Sequence, residues 1–265
     1  MKLEVLVAAV NAAPEELAKR MRLDSDAIIV NQCDHYEYGK FERNDHKIRV
    51  FSMAERGVGL SRNTALLHGE GDILLFGDDD ICYEEGYADS ILEAFEQNPD
   101  ADGITFNLEV DPRRKTYENT KERRIRFYNY GRYPTYALAV RADSIRRANV
   151  CFSLLFGGGA RYSNGEDSLF FHDCLKKGLH LYTSTRRIGK EIYRESTWFE
   201  GYHEKFFYDR GFLYAHLYGI FAHLWALRFL LAKRAAILTE HSFGEAFSLM
   251  CKGIRDGKSR KDCQV

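Results

Sequence analysis

Residues Ile73-Leu74-Leu75-Phe76 form an unbroken apolar run that stops at Gly77 and three consecutive acids, Asp78, Asp79 and Asp80. A run of that length with no polar alternation is what a strand covered on both faces requires. It therefore demands helices on either side of a sheet. The sequence around it supplies them. Leu3 to Val10, Ala27 to Val30, Ile48 to Phe51 and Ile104 to Phe106 read as further strands. A helix opens at Pro14-Glu15-Glu16, with Pro in the first turn and acids at the positive helix end. A second is expected over residues 59–68, beginning near Ser61, and a third over 84–97 with Ile91, Leu92 and Phe95 on one face. Strand and helix in alternation over the first hundred residues point to an α/β fold with a mostly parallel sheet.

In such sheets the C-terminal ends of the strands deliver residues to the ligand crevice. Three carboxylates placed there repel one another unless a cation or polar groups compensate. A solvated acidic turn is the plain alternative. No Gly-x-Gly-x-x-Gly follows the first strand and no Walker A sequence occurs, so dinucleotide and P-loop readings lack support.

A net charge of -1, from 38 Lys and Arg against 39 Asp and Glu, argues against nucleic acid as a partner. The segment from Pro112 to Arg132 is locally basic (Arg113, Arg114, Lys115, Lys121, Arg123, Arg124, Arg126) and reads as a solvated excursion. A strand over 136–140 and a helix over 142–148 follow. Six cysteines without a Cys-x-x-Cys pair suit free thiols in a reducing compartment. The N-terminal residues lack a signal peptide's long apolar stretch, and the expected location is cytoplasmic.

A second constellation is Phe156-Gly157-Gly158-Gly159, followed by Gly165-Glu166-Asp167 ahead of Leu169 and Phe170. The glycines allow close backbone approach to a ligand. Glu166 and Asp167 open a helix, where acids are also favoured simply as caps.

Taken in order, these elements resemble family 2 glycosyltransferases of GT-A fold, a Rossmann-like, mostly parallel sheet flanked by helices. Glu55-Arg56-Gly57-Val58-Gly59-Leu60-Ser61-Arg62-Asn63 is similar to that family's Gly-x-x-x-Ala-Arg-Asn segment, with Ser61 at the small position. Glu195 to Phe199 and Lys205 to Gly211 resemble bacterial surface or capsular polysaccharide members. The resemblance spans about residues 3–211 and implies a catalytic domain over 1–211 with a helical extension over 212–265. It implies an inverting transfer from a nucleoside-diphosphate sugar, a UDP-sugar favoured, to a hydroxyl of a glycan or lipid-linked glycan. It further implies Mn²⁺ or Mg²⁺ held by Asp80 and Asp78, with Asp79 as an additional donor contact; oxygen ligands suit these hard cations. Asp167 corresponds to the family's base, with Glu166 as neighbour or substitute. Arg62 and Asn63 are expected to contact the nucleotide or its phosphates, and Gly158 and Gly159 to line the donor.

Two departures bear on this. Where the family carries Asp-Asp-Gly-Ser, this chain has Asn31-Gln32-Cys33-Asp34, leaving Asn31 and Asp34 as candidates for the base. His203 is the candidate late metal ligand, while His172 and His180 are assigned to packing. A sugar nucleotidyltransferase and a non-catalytic membrane-associated scaffold of the same fold are the alternatives. The first would carry a Gly-rich basic loop after strand one, which Val10-Asn11-Ala12-Ala13 is not.

Residues 212–231 are strongly apolar, interrupted by His216, His223 and Arg228, with Lys233 and Arg234 beyond. Residues 243–254 read as a further helix with Phe243, Phe247, Met250 and Ile254 along one face, and Lys252, Arg255, Lys258, Arg260 and Lys261 add charge. This tail suits peripheral attachment to the inner face of the plasma membrane. Packing on the catalytic domain or in a homodimer seam is the equal alternative.

Overall fold

The computed structural model describes residues 1–112, 115, 118–192, 201–238 and 240–259. Of the segments singled out above, Arg113, Arg114, residues 195–199, Arg260 and Lys261 lie outside these. The chain divides into two compact units, Met1–Leu154 with Glu166–Glu195, and Leu155–Gly165 with Ser196–Val265.

The first unit carries β1 (Leu3–Val10), α1 (Pro14–Arg20), β2 (Asp26–Gln32), β3 (Glu37–Arg43), β4 (His46–Met53) and α2 (Val58–His68). Then follow β5 (Ile73–Asp78), β6 (Ile81–Tyr83), α3 (Tyr87–Gln97), β7 (Gly103–Glu109) and β8 (Arg123–Arg124). The unit ends with β9 (Leu138–Arg141), α4 (Ala142–Ala148), α5 (Glu166–Lys176) and β10 (Leu181–Glu191). All ten strands join one sheet in the order β3-β4-β2-β1-β5-β9-β7-β10-β6, with β8 on β10. Strands β4, β2, β1 and β5 are mutually parallel. Strand β9 is antiparallel to both β5 and β7, and β10 is parallel to β7, so six of the ten strands point the same way.

The central strand behaves as its sequence requires. Ile73 to Phe76 are at most 1% exposed. On one face Leu75 and Ile73 join Val5, Val7 and Ile29 under Leu17 of α1 and Tyr87, Ile91 and Phe95 of α3. On the other, the Phe76 ring meets Phe152 at 5.2 Å and Phe170 of α5 at 5.5 Å. Burying a Phe of this kind contributes about 2–3 kcal/mol. Glu4, the acid inside apolar β1, is buried and held by Arg49 at 2.6 Å and by the Gly71 N–H at 3.1 Å.

Sequence and structure part at several elements. Helix α2 begins at Val58, earlier than Ser61, and α3 begins at Tyr87, after left-handed Gly86 with φ 72°. The basic excursion contains β8. Strand β9 starts at Leu138, two residues after the expected Tyr136. Strands β3, β6 and β10 are additions: β3 carries four charges in seven residues, and β10 is polar through Thr183 to Arg187.

The second unit contains α6 (Glu204–Tyr218), α7 (Ala222–Ile237) and α8 (Phe243–Ser259). The expected boundary between residues 211 and 212 falls inside α6, and the glycine-rich loop groups with these helices. Helices α6 and α8 touch backbone to backbone. A Cβ on Gly211 would strike the Met250 carbonyl, and one on Gly253 would strike the Tyr208 carbonyl. The Tyr208 hydroxyl donates to Asp256 at 2.8 Å and fixes the register. The buried face of α8 is Ala246, Met250, Gly253, Ile254 and Gly257; Phe243 and Phe247 are half-buried. Asp209, 1% exposed, accepts from the Ser163 N–H at 2.9 Å, so Asp209 and Gly211 serve packing. Glu204–Ile237 is long and apolar enough to cross a membrane by length and composition, with mean hydropathy 1.3. A 3₁₀ turn at Gly219–Phe221 interrupts it.

Candidate active site

The register aligns Ala8 with Asp78, Val10 with Gln32 and Gln32 with Met53, so the C-terminal ends of β5, β1, β2 and β4 share one edge. At that edge β5 turns through Asp79 and Asp80 into β6. Gly77, inside β5, lets β6 pack close, since a Cβ there would strike the Tyr83 hydroxyl.

The three acids then part. Asp79 is 4% exposed and accepts from the Val10 N–H at 3.3 Å, while its carbonyl takes the Arg20 guanidinium at 3.0 Å. It braces β1. Asp78 is half-buried and accepts from Arg62 at 3.0 Å. Asp80 is half-buried, and its carbonyl takes the Ile192 N–H at 2.6 Å.

Arg62 is the centre of the arrangement. Helix α2 delivers it from a start fixed by Gly57 at φ 134°, whose N–H donates to Gln32 Oε1 at 2.7 Å. Gly59 lies so close to the Ser153 carbonyl that no side chain fits. Arg62 is 3% exposed, sits 5.3 Å over the Phe152 ring, and reaches Asp78 and Asp167 at 3.0 Å each and Glu166 at 3.7 Å. One buried cation thus joins the acid that ends β5 to both acids opening α5. Helix capping alone does not account for Glu166 and Asp167.

Burial and the neighbouring Asp167 push the Glu166 carboxyl up to about 7, against the pull of Arg62. Burial works to lower the Arg62 value, but Asp78, Asp167 and Glu166 outweigh it and raise it, so Arg62 stays charged. Asp167 Oδ1 accepts from Arg62 and from the buried Thr135 hydroxyl. Among the described residues its Oδ2 takes no hydrogen bond. Asp167 is therefore oriented through one oxygen and open to a proton at the other. Thr135 was not anticipated; a single Thr beside Pro134 carries no signal in the sequence.

Several expected ligands have other duties. The Asn31 amide accepts from the Ala12 N–H at 2.9 Å and donates to the Ala12 carbonyl at 3.0 Å. The Asn63 amide does the same to Phe152, at 2.7 and 2.9 Å. With both ends of each amide bonded to backbone, these residues clamp loops. Arg62 likewise is held by carboxylates. Asp34 is exposed and bonded to His35 at 2.8 Å, which holds its carboxyl below the usual range. Gly158 and Gly159 lie in a turn closed by the Gly157 N–H on the Tyr162 carbonyl at 2.9 Å, in the second unit. His203 stands at the N-cap of α6 in that same unit, so the expected set Asp78, Asp80 and His203 is divided between units. His172 packs among Phe127 and Tyr130, as expected.

The donor chemistry for a hard cation is present in Asp80 and Asp78. Among the described residues these acids do not converge as a group of three, whereas Cys33, Asp34 and His35 lie within 4.8 Å of one another.

The model of glycosyl transferase family 2 matches residues 15–152, just over half of the chain and the stretch that carries β2 to β9 with Arg62 and Asp78. The chain belongs to glycosyl transferase family 2. A relative from Haemophilus influenzae, described as an uncharacterized glycosyltransferase, is 30% identical over 98 residues, 37% of this chain; the match spans a third of that relative's length. The family 2 chain is also similar to TarS of S. aureus (residues 1–349) in complex with UDP-GlcNAc, with a TM-score of 0.66 and 13% identity over 99% of this chain and 92% of TarS. It resembles the mannosyltransferase PcManGT of Pyrobaculum calidifontis in complex with GDP-Man and Mn²⁺, with a TM-score of 0.53 and 17% identity over 97% and 83% of the two chains. These likenesses establish the GT-A fold.

Proposed function

We propose that this family 2 protein is a glycosyltransferase that moves a sugar from a nucleoside-diphosphate sugar to a glycan hydroxyl with inversion. The observation that carries the reading is the Arg62 bridge, which orients Asp167 through Oδ1 while Oδ2 takes no hydrogen bond among the described residues. Asp167 Oδ2 takes the proton of the acceptor hydroxyl as that oxygen bonds to the anomeric carbon. The bond from that carbon to the donor phosphate breaks on the opposite face, and its electron pair leaves with the nucleoside diphosphate. Arg62 keeps Asp167 in place and balances part of the acid charge through the reaction.

The donor class is supported by UDP-GlcNAc on TarS and GDP-Man with Mn²⁺ on PcManGT, and a UDP-sugar is favoured by the higher likeness to TarS. Asp80, with Asp78 beside it, would hold Mn²⁺ or Mg²⁺, which when bound neutralises charge on the departing diphosphate. A bacterial surface glycan as acceptor rests on the resemblance of the segment Lys205 to Gly211 alone, in which Asp209 and Gly211 also serve packing.

Thermal melting with a panel of nucleoside diphosphates and nucleotide-sugars, with and without Mn²⁺, tests the donor site, since a ligand of the native state raises Tm. The expected result is a rise that needs both metal and one nucleotide and is lost in Asp80→Ala. Asp167→Asn should keep that rise and lose transfer by about 10²–10⁴-fold. No rise with any donor in folded protein would defeat the proposal.

A further inference from the structure

We infer that the outer face of α7 is a docking surface for an anionic lipid bilayer, which this helix lies upon and does not cross. The inner face of α7 is Ala222, Ala226, Leu230 and Ile237, all buried. The opposite side presents Leu224 (63% exposed), Leu227 (37%) and Leu231 (55%), and the 3₁₀ turn just before the helix adds Ile220 (82%) and Phe221 (59%). From Phe221 onward the spacing of three and four residues makes one apolar stripe. A stripe of this size is larger than the scattered apolar residues of an ordinary surface and marks an interaction face.

Charge selects the partner. From residue 210 to 239 the sequence contains no Asp or Glu, while Arg210, Arg228, Lys233 and Arg234 contribute four positive charges. Arg228 stands within the stripe, 5.0 Å over the Trp225 ring, and Lys233 and Arg234 follow, exposed, in the next turn. Trp225 itself stacks on Tyr218 at 4.7 Å at the margin of the stripe. Apolar side chains with flanking cations, an aromatic border and no acid are what an interfacial helix needs to sink into a negatively charged headgroup layer. A spanning orientation does not fit, because Gly219 (φ 52°) breaks the apolar stretch and Phe206, Phe207, Phe212, Leu213 and Ala215 of α6 are already buried.

The test is flotation of the full chain with phosphatidylglycerol–phosphatidylcholine vesicles and with phosphatidylcholine vesicles alone, paired with sedimentation velocity. Binding to the anionic vesicles only, weakened by salt, is expected. Leu224→Glu with Leu231→Glu should abolish it with Tm unchanged, since both side chains are exposed. Arg228→Gln with Lys233→Gln and Arg234→Gln should lower partitioning by about fivefold per cation removed. The inference is overturned if folded wild-type protein stays with the soluble fraction, or if the double Glu variant floats as the wild type does. It is equally overturned if wild type sediments as a dimer that the double Glu variant dissolves while neither binds vesicles, which would make the stripe a seam between copies.

Discussion

Glu166→Gln isolates the cost of placing three carboxylates around one buried guanidinium. In the folded protein Glu166 titrates at about 7, against an ordinary value of 4.5. Between those pH values the folded state holds a proton that the unfolded chain has released. Stability from this group is therefore complete below about pH 4.5 and lost as pH rises through 7. Two and a half pH units correspond to a loss of about 3 kcal/mol once pH exceeds 8. Gln has nearly the same shape and no charge at any pH, so the variant should lack this decline. Urea denaturation of both proteins from pH 5 to pH 8 measures it. The expected outcome is a variant more stable than wild type by about 1 kcal/mol at pH 5 and by up to about 3 kcal/mol at pH 8. Superimposable pH dependences for the two proteins would refute the placement of Glu166 in a shared acid cluster.

Arg62→Met leaves Asp78, Glu166 and Asp167 without their cation and should destabilise the fold by about 3–5 kcal/mol at neutral pH, read by the same denaturation assay. Thr135→Val removes the hydroxyl from Asp167 and nothing of similar size; transfer should slow mainly in kcat with KM little changed, at about 1–2 kcal/mol in stability. Gly253→Ala gains roughly 1 kcal/mol of helix propensity but drives a methyl into the Tyr208 carbonyl, a backbone contact that cannot swing aside. The net effect on Tm should be a fall, from overpacking of about 1–3 kcal/mol or more.

Much of the architecture could be read from residue order. Ile73 to Phe76 announced a doubly covered strand, and helices on both faces of the sheet cover it as expected. The acids of β5 and α5 were legible for the same reason: charge at the end of a buried segment has few structural uses. What sequence does not carry is direction. Arg62 is recognisable, but its partner Asp167 lies 105 residues away, and nothing local says that the guanidinium faces carboxylates. Asn31 and Asn63 have the right chemistry for ligands, and only the geometry shows both amides bonded to the backbones of Ala12 and Phe152. In α8, pattern reading favours the large side chains Phe243 and Phe247, whereas close helix packing selects Ala246, Gly253 and Gly257. Small residues at a helix contact are invisible to a search for apolar bulk.

The order of the strands has a consequence for self-association. The sheet ends at β3 on one side and at β6 on the other. Strand β3 carries Glu37, Lys40, Glu42 and Arg43 along its length, and β6 is three residues long. A chain seeking to extend the sheet would meet fixed charges of both signs at one end and too short a ladder at the other. The apolar strands that build the core are thereby kept from templating further strands, and a concentrated solution of folded protein is guarded against growth by strand addition.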